Sequence, residues 1–173
     1  MAQRMSRGIT AVRGAALLLL IAATVYALDR WAITPLRCGH TASLGAAALD
    51  RESPSPFQTQ RLARQIRDDL QDCECVTPPD ATIPMTLGAA AEASDDARGA
   101  ITEYQRALQL DRRPEIYFHL GLMQQATLNP SAVENIVRAC AFDPARLADI
   151  PYDDMRRETE RRLRAMYGPD WVP

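Results

Sequence analysis

LGAAAEASDDARGAITEYQRALQLDRRPEIYFHLGLMQQATLNPSAVENIVRACAFDP, residues 87–144, is the stretch on which the fold is read. Within it Ala100, Tyr104 and Ala107 recur 32 residues later as Ala132, Ile136 and Ala139, and Leu87-Gly88 recurs 33 residues later as Leu120-Gly121. Small residues at this spacing let two antiparallel helices approach closely, and the large residue between them fills the groove. One such hairpin leaves an apolar face bare, so these units stack. Upstream, Ile66, Leu70 and Cys73 stand 34 residues before Ala100, Tyr104 and Ala107, with Pro78 closing the unit, and Leu44-Gly45 precedes Leu87-Gly88 by 43 residues. A third, weaker copy is therefore expected, with about nine extra residues in the turn around Glu52-Ser53-Pro54.

Working outward, helical periodicity predicts helices over 41–51, 57–74, 82–93, 96–110, 114–127, 130–142 and 152–166, and no run alternates in the manner of a strand. Pro78-Pro79, Pro114, Pro130, Pro144 and Pro151 punctuate these segments where helices start or stop. Asp95-Asp96 reads as a helix N-cap. The last helix has an apolar stripe at Tyr152, Met155, Thr159, Leu163 and Met166. Its other face pairs Asp153 with Arg157, Glu158 with Arg162 and Glu160 with Arg164 at i, i+4, as a solvated cap on the stack would. The expected fold is all-α: an N-terminal transmembrane or signal helix, stacked antiparallel hairpins and a C-terminal capping helix. The corresponding division is 1–28, a juxtamembrane linker at 29–40 in which Pro35 interrupts the helix, a degenerate hairpin at 41–79, two repeats at 80–146, and a cap and tail at 147–173.

These repeats resemble the tetratricopeptide repeat (TPR). Tyr117-x2-Leu120-Gly121 followed by Ala132-x3-Ile136-x2-Ala139-x4-Pro144 fits its pattern well. Leu87-Gly88 with Ala100, Tyr104 and Ala107 fits it with two departures, Pro84 for an aromatic and Arg112 for a proline. The resemblance covers about 80–145 and, more weakly, 41–79. It implies a short right-handed superhelix whose concave face, lined by first helices, grips a peptide or helix of a protein partner. By register that face holds Thr82, Met85, Ala89 and Glu92, then Glu115, Phe118, Leu122 and Gln125. The subclass that clamps C-terminal carboxylates resembles a set of lysines, arginines and asparagines there, and none is present.

The N-terminus carries Arg4, Arg7 and Arg13 ahead of the uncharged segment 14–28, with no acid before Asp29. That order keeps the N-terminus in the cytoplasm and sends the rest of the chain outside. Two fates stay open. Val25-Tyr26-Ala27 permits signal cleavage, whereas snorkelling of Arg13 extends the span back to Ile9, long enough for a bilayer, with Tyr26 and Trp31 as an aromatic belt. The expected location is the bacterial inner membrane with the domain in the periplasm, or the exported state after cleavage. All twenty basic residues are arginine and the net charge is −2; without residues 1–27 the balance is 17 Arg against 22 acids. A mildly acidic domain excludes phosphate-backbone binding, so no nucleic acid is expected.

Only His40 and His119 offer neutral-pH bases, and the chain has no phosphate loop, nucleophile elbow or H-E-x-x-H motif. Neither enzyme activity nor a cofactor is expected. His119 is read as a packed or half-exposed helical side chain. Cys38-x-His40 and Cys73-x-Cys75 lie at adjoining ends of one hairpin. In an oxidising compartment a disulfide from Cys38 to Cys75 or Cys73 is the simpler reading, with a metal- or thiol-active site on Cys38, His40, Cys73 and Cys75 as the alternative. Cys140, beside the packing position Ala139, is expected to be a buried free thiol. A further alternative is polysaccharide or surface binding through Arg156, Arg161 and Arg164.

Overall fold

The computed structural model describes residues 17–51, 55–73, 79–169 and 171. The described residues are all helix and turn. Helix α1 runs Leu17–Leu49 and is long and apolar enough to cross a membrane. It is followed by α2 (Pro56–Leu70), α3 (Thr82–Glu92), α4 (Ala97–Leu110), α5 (Pro114–Ala126), α6 (Ala132–Phe142) and α7 (Asp153–Tyr167), with 3-10 turns at Gln71–Cys73 and Pro144–Leu147. The second part of α1 pairs with α2, α3 with α4 and α5 with α6; α3 also packs on α1 and α2, α5 on α4, and α7 closes the stack on α6.

The linker expected at 29–40 is instead helical. A π-turn, Asp29–Ile33, precedes the segment Thr34–Leu49, and the Thr34 N–H donates to the Asp29 carbonyl, one residue further back than in an α-helix. This resets the ladder just before Pro35, which falls at the start of the next segment, where a missing N–H costs least. The apolar helix is thus continuous with the first helix of the stack, whose Cys38, Ala42 and Gly45 are buried.

The repeat follows from close approach at two glycines. A Cβ on Gly88 would lie 2.7 Å from Tyr104 Cε1, and one on Gly121 would lie 2.6 Å from Ile136 Cγ1. Ala100, Ala107, Ala132 and Ala139 flank those large residues and are all buried. Both hairpins turn in the same way. The Asp95 and Leu128 N–H groups donate three residues back, to the Glu92 and Gln125 carbonyls, and the Asp96 and Asn129 N–H groups five back, to Ala91 and Gln124. That is the Schellman termination, and its left-handed residue is Asp95 (φ 61°) in one turn and Leu128 (φ 57°) in the other. Asp96 caps α4 by accepting from the Gly99 N–H at 2.9 Å.

The third copy exists in a different register. Gly45 faces Ile66, at 3.1 Å from a built Cβ to Cγ2, so the counterpart of Tyr104 is Ile66 and not Leu70. Relative to that residue α2 starts about one turn earlier than α4 does, so about three of the roughly nine extra residues assigned to the turn are helix. Leu44, read as the partner of Gly45 in the repeat, points to solvent. In α7 Met155, Thr159 and Leu163 are buried, while Tyr152 and Met166, read as part of the same stripe, are exposed.

Candidate functional site

On α3, Met85, Ala89 and Glu92 are half-buried, as are Leu122 and Gln125 on α5. Phe118 differs: it is 4% exposed and packs with Leu147, Ile150 and Met155. The turn after α6 covers it, with the Arg146 guanidinium 5.4 Å over its ring and reaching Asp143 (3.3 Å) and Glu115 (3.7 Å). Phe118 is core, and the anchoring role expected of it on an open face is corrected. The residue beyond each repeat decides this, because a chain segment that folds back after Pro144 roofs the last first-helix.

Glu92 has a second part to play. Tyr104 lies over Gly88, and its hydroxyl therefore reaches one turn further along α3, donating to Glu92 Oε2 at 2.8 Å. His119 of the next hairpin brings Nδ1 to the same oxygen at 3.1 Å, and the His119 and Tyr104 rings stack with centroids 5.7 Å apart. Burial, reinforced by the Glu92 charge and hydrogen bond, pushes Tyr104 proton loss well above the usual tyrosine range. One carboxylate thus ties α3, α4 and α5 together, with His119 half-exposed at the rim.

Cys38 is bonded to Cys73, closing 35 residues. Cys75, the other partner anticipated for Cys38, lies outside the described residues. With Cys38 and Cys73 joined, neither presents a thiolate, so a metal set drawn on those sulfurs requires the bridge to open. Cys140 is free and buried, and burial pushes its thiol up to about 12. Four of the five arginines of α7 are engaged with its own acids: Arg161 and Arg162 with Glu158, Arg164 with Glu160, and Arg156 with Asp153, in place of the Asp153–Arg157 pair read from the sequence. The hydrogen bonds from Arg161 and Arg162 hold the Glu158 carboxyl down at about 2. The three arginines read as a surface-binding set, Arg156, Arg161 and Arg164, therefore offer an external polyanion paired rather than free charge.

A groove of about 510 Å³ that the sequence reading passed over lies between α4 and α6, with α5 as its floor. Carboxamides converge on it: Gln105 and Gln109 from α4, Gln124 from α5 and Asn135 from α6. Their helical spacing was visible in the sequence, but glutamines on a polar face read as solvated surface until the next helix walls them in.

Compared with protein-family models, curated proteins and solved structures, the chain matches none.

Proposed function

We propose that this chain is a TPR-type scaffold at the bacterial envelope that works by holding a protein partner and not by catalysis. The observation that carries the reading is the repeated seat, Tyr104 on Gly88 and Ile136 on Gly121, at tetratricopeptide spacing and with matching hairpin turns. In this reading α1 is retained in the inner membrane and the stack lies in the periplasm, where an oxidising environment maintains Cys38–Cys73. Export after cleavage would leave the same stack without its anchor. The first-helix face available to a partner comprises Met85, Ala89, Glu92, Leu122 and Gln125, half-buried side chains that do not need to unfold to be reached.

Two measurements test the proposal. A reporter active only in the cytoplasm, fused after Pro173, stays silent if the stack is outside, and a strong signal rejects the topology. Membranes carrying the full chain, with Met85→Gln or Leu122→Gln beside the unaltered protein, are cross-linked and the products compared. Loss of one discrete adduct at unchanged melting temperature supports partner holding. An adduct pattern indifferent to both variants removes that face from the function.

A further inference from the structure

Gln124 is 3% exposed yet only half used: its Oε1 accepts from Asn135 Nδ2 at 2.7 Å, while its Nε2 has no hydrogen-bond partner among the described residues. That donor is not enclosed but opens on the groove, where it is free to donate to water or to an acceptor of a ligand. Gln105 and Gln109 stand one turn apart above it on α4, and Arg112 follows at the end where α4 meets α5. Every carboxamide supplies both a donor and an acceptor. The ligand with matching alternation is a polypeptide main chain in extended form. A helical ligand satisfies its own backbone groups and would leave these amides idle.

A sugar is the other class that carboxamides recognise, but it needs an aromatic face to stack on. The aromatic ring in this groove, Tyr117, is buried with the Arg138 guanidinium 5.9 Å from its centroid. Arg138 is in turn paired with Glu134, which leaves Arg112 as the arginine lining the groove that is not engaged with an acid. From Gln105 to Arg112 the wall spans about 10 Å, the length of about three extended residues.

We propose that the α4–α6 groove binds an extended, acidic peptide segment, its main chain held by Gln105, Gln109 and Gln124 and its carboxylate by Arg112. This rests on the protein-holding reading and specifies its site and ligand. The groove lies on the second-helix side of the stack, away from the first-helix face to which the repeat pattern directs attention.

The test uses the full chain in lipid nanodiscs, labelled with ¹⁵N and at methionine and leucine methyls. It is titrated separately with the peptide acetyl-Ala-Asp-Ala-Ser-Ala-amide, its Asn-for-Asp form, and chitotetraose. The acidic peptide is expected to shift the side-chain amides of Gln105, Gln109 and Gln124. The neutral form, Gln109→Ala, Arg112→Ala and Gln124→Met are each expected to weaken it about fivefold, the share of one hydrogen bond or ion pair. Gln109 and Arg112 are exposed, so their variants keep the fold; a melt of each checks this. Shifts confined to the Met85 and Leu122 methyls overturn the site but leave the protein-holding reading standing. Shifts from chitotetraose alone overturn both. No shift from either peptide at millimolar concentration overturns the site.

Discussion

Replacing Gly121 by alanine sets two opposed effects against each other. Alanine in a helix interior gains about 1 kcal/mol over glycine. The added methyl, however, would lie 2.6 and 2.8 Å from Ile136 Cγ1 and Cδ1 and 3.0 Å from the Ala132 carbonyl oxygen. The isoleucine can shift its tip, but the carbonyl belongs to the first turn of α6 and moves only with that helix. Overpacking of this kind costs about 1–3 kcal/mol. The net loss is then about 0–2 kcal/mol, or at most roughly 8 °C in melting temperature for a chain of this size.

The same arithmetic orders the three glycines. Gly88 meets ring atoms of Tyr104 at 2.7, 2.8 and 3.0 Å, a rigid group pinned through its hydroxyl to Glu92, so Gly88→Ala is also destabilising. Gly45 meets the Ile66 methyl at 3.1 Å, a contact that yields by a small rotation, and Gly45→Ala comes out near zero or slightly stabilising. The decisive variant is the double one. Ile136→Ala alone leaves a cavity worth about 2–5 kcal/mol, and Gly121→Ala places a methyl into that space, so the pair should cost about 1–2 kcal/mol less than the sum of the singles. Circular dichroism melts of the four proteins measure it. If Gly121→Ala raises the melting temperature, or if the pair is additive, the helices are not in this contact and the repeat register is wrong.

Leu128 occupies a left-handed turn position at φ 57° while 86% exposed, so Leu128→Gly relieves the Cβ clash with no packing to lose and should stabilise by about 1 kcal/mol; an unchanged melt argues against the Schellman turn there. Reduction of Cys38–Cys73 releases a 35-residue closure worth roughly 4 kcal/mol in the chain-entropy model, and the melting temperature should fall accordingly. Peptide mapping checks the pairing itself: Cys38 should be recovered joined to Cys73. Cys140 keeps its proton in the folded protein up to about 12, against an unfolded value near 9. The unfolded chain therefore loses that proton first, and stability should fall as pH rises from about 9 to about 12, less steeply in Cys140→Ala; equal slopes would place the thiol outside the core.

The hairpins were legible because their determinant is local: a glycine and two alanines at fixed spacing leave only one way for Tyr104 and Ile136 to pack. What escaped the sequence has non-local causes. The left-handed residues of the two turns are aspartate and leucine, with no glycine to announce them, so the shared termination shows only in the hydrogen bonds of Asp96 and Asn129. Pro35 signals a break in any sequence, yet the π-turn upstream absorbs it. Phe118 has the right spacing for an exposed anchor, and its fate is set by Arg146 and Leu147, which come from beyond the repeat. The Gln105–Gln109 pair is ordinary on one helix and becomes a wall only across from Asn135.

The continuity of α1 changes what an anchor would do for the helical stack. Had residues 29–40 been a loose linker, the stack would sample every orientation above the membrane, and tethering would only raise its local concentration. Instead the segment holding buried Cys38, Ala42 and Gly45 is the same helix that carries the apolar residues from Leu17 onward, and the Cys38–Cys73 bond fastens it to the 3-10 turn after α2. At a rise of about 1.5 Å per residue, the seven residues from Leu28 to Pro35 place the start of the stack only about 10 Å beyond the apolar run. The connections at that end, around Asp80 and Asp111, would then face the membrane, while the Asp95 and Leu128 turns point away from it. The α4–α6 groove runs between those two ends, so a retained α1 would present it along the membrane normal. Cleavage after Ala27 would leave the packing of Cys38, Ala42 and Gly45 untouched and remove only this orientation. A difference between anchored and cleaved forms in partner engagement, at equal melting temperature, would therefore report on geometry and not on folding.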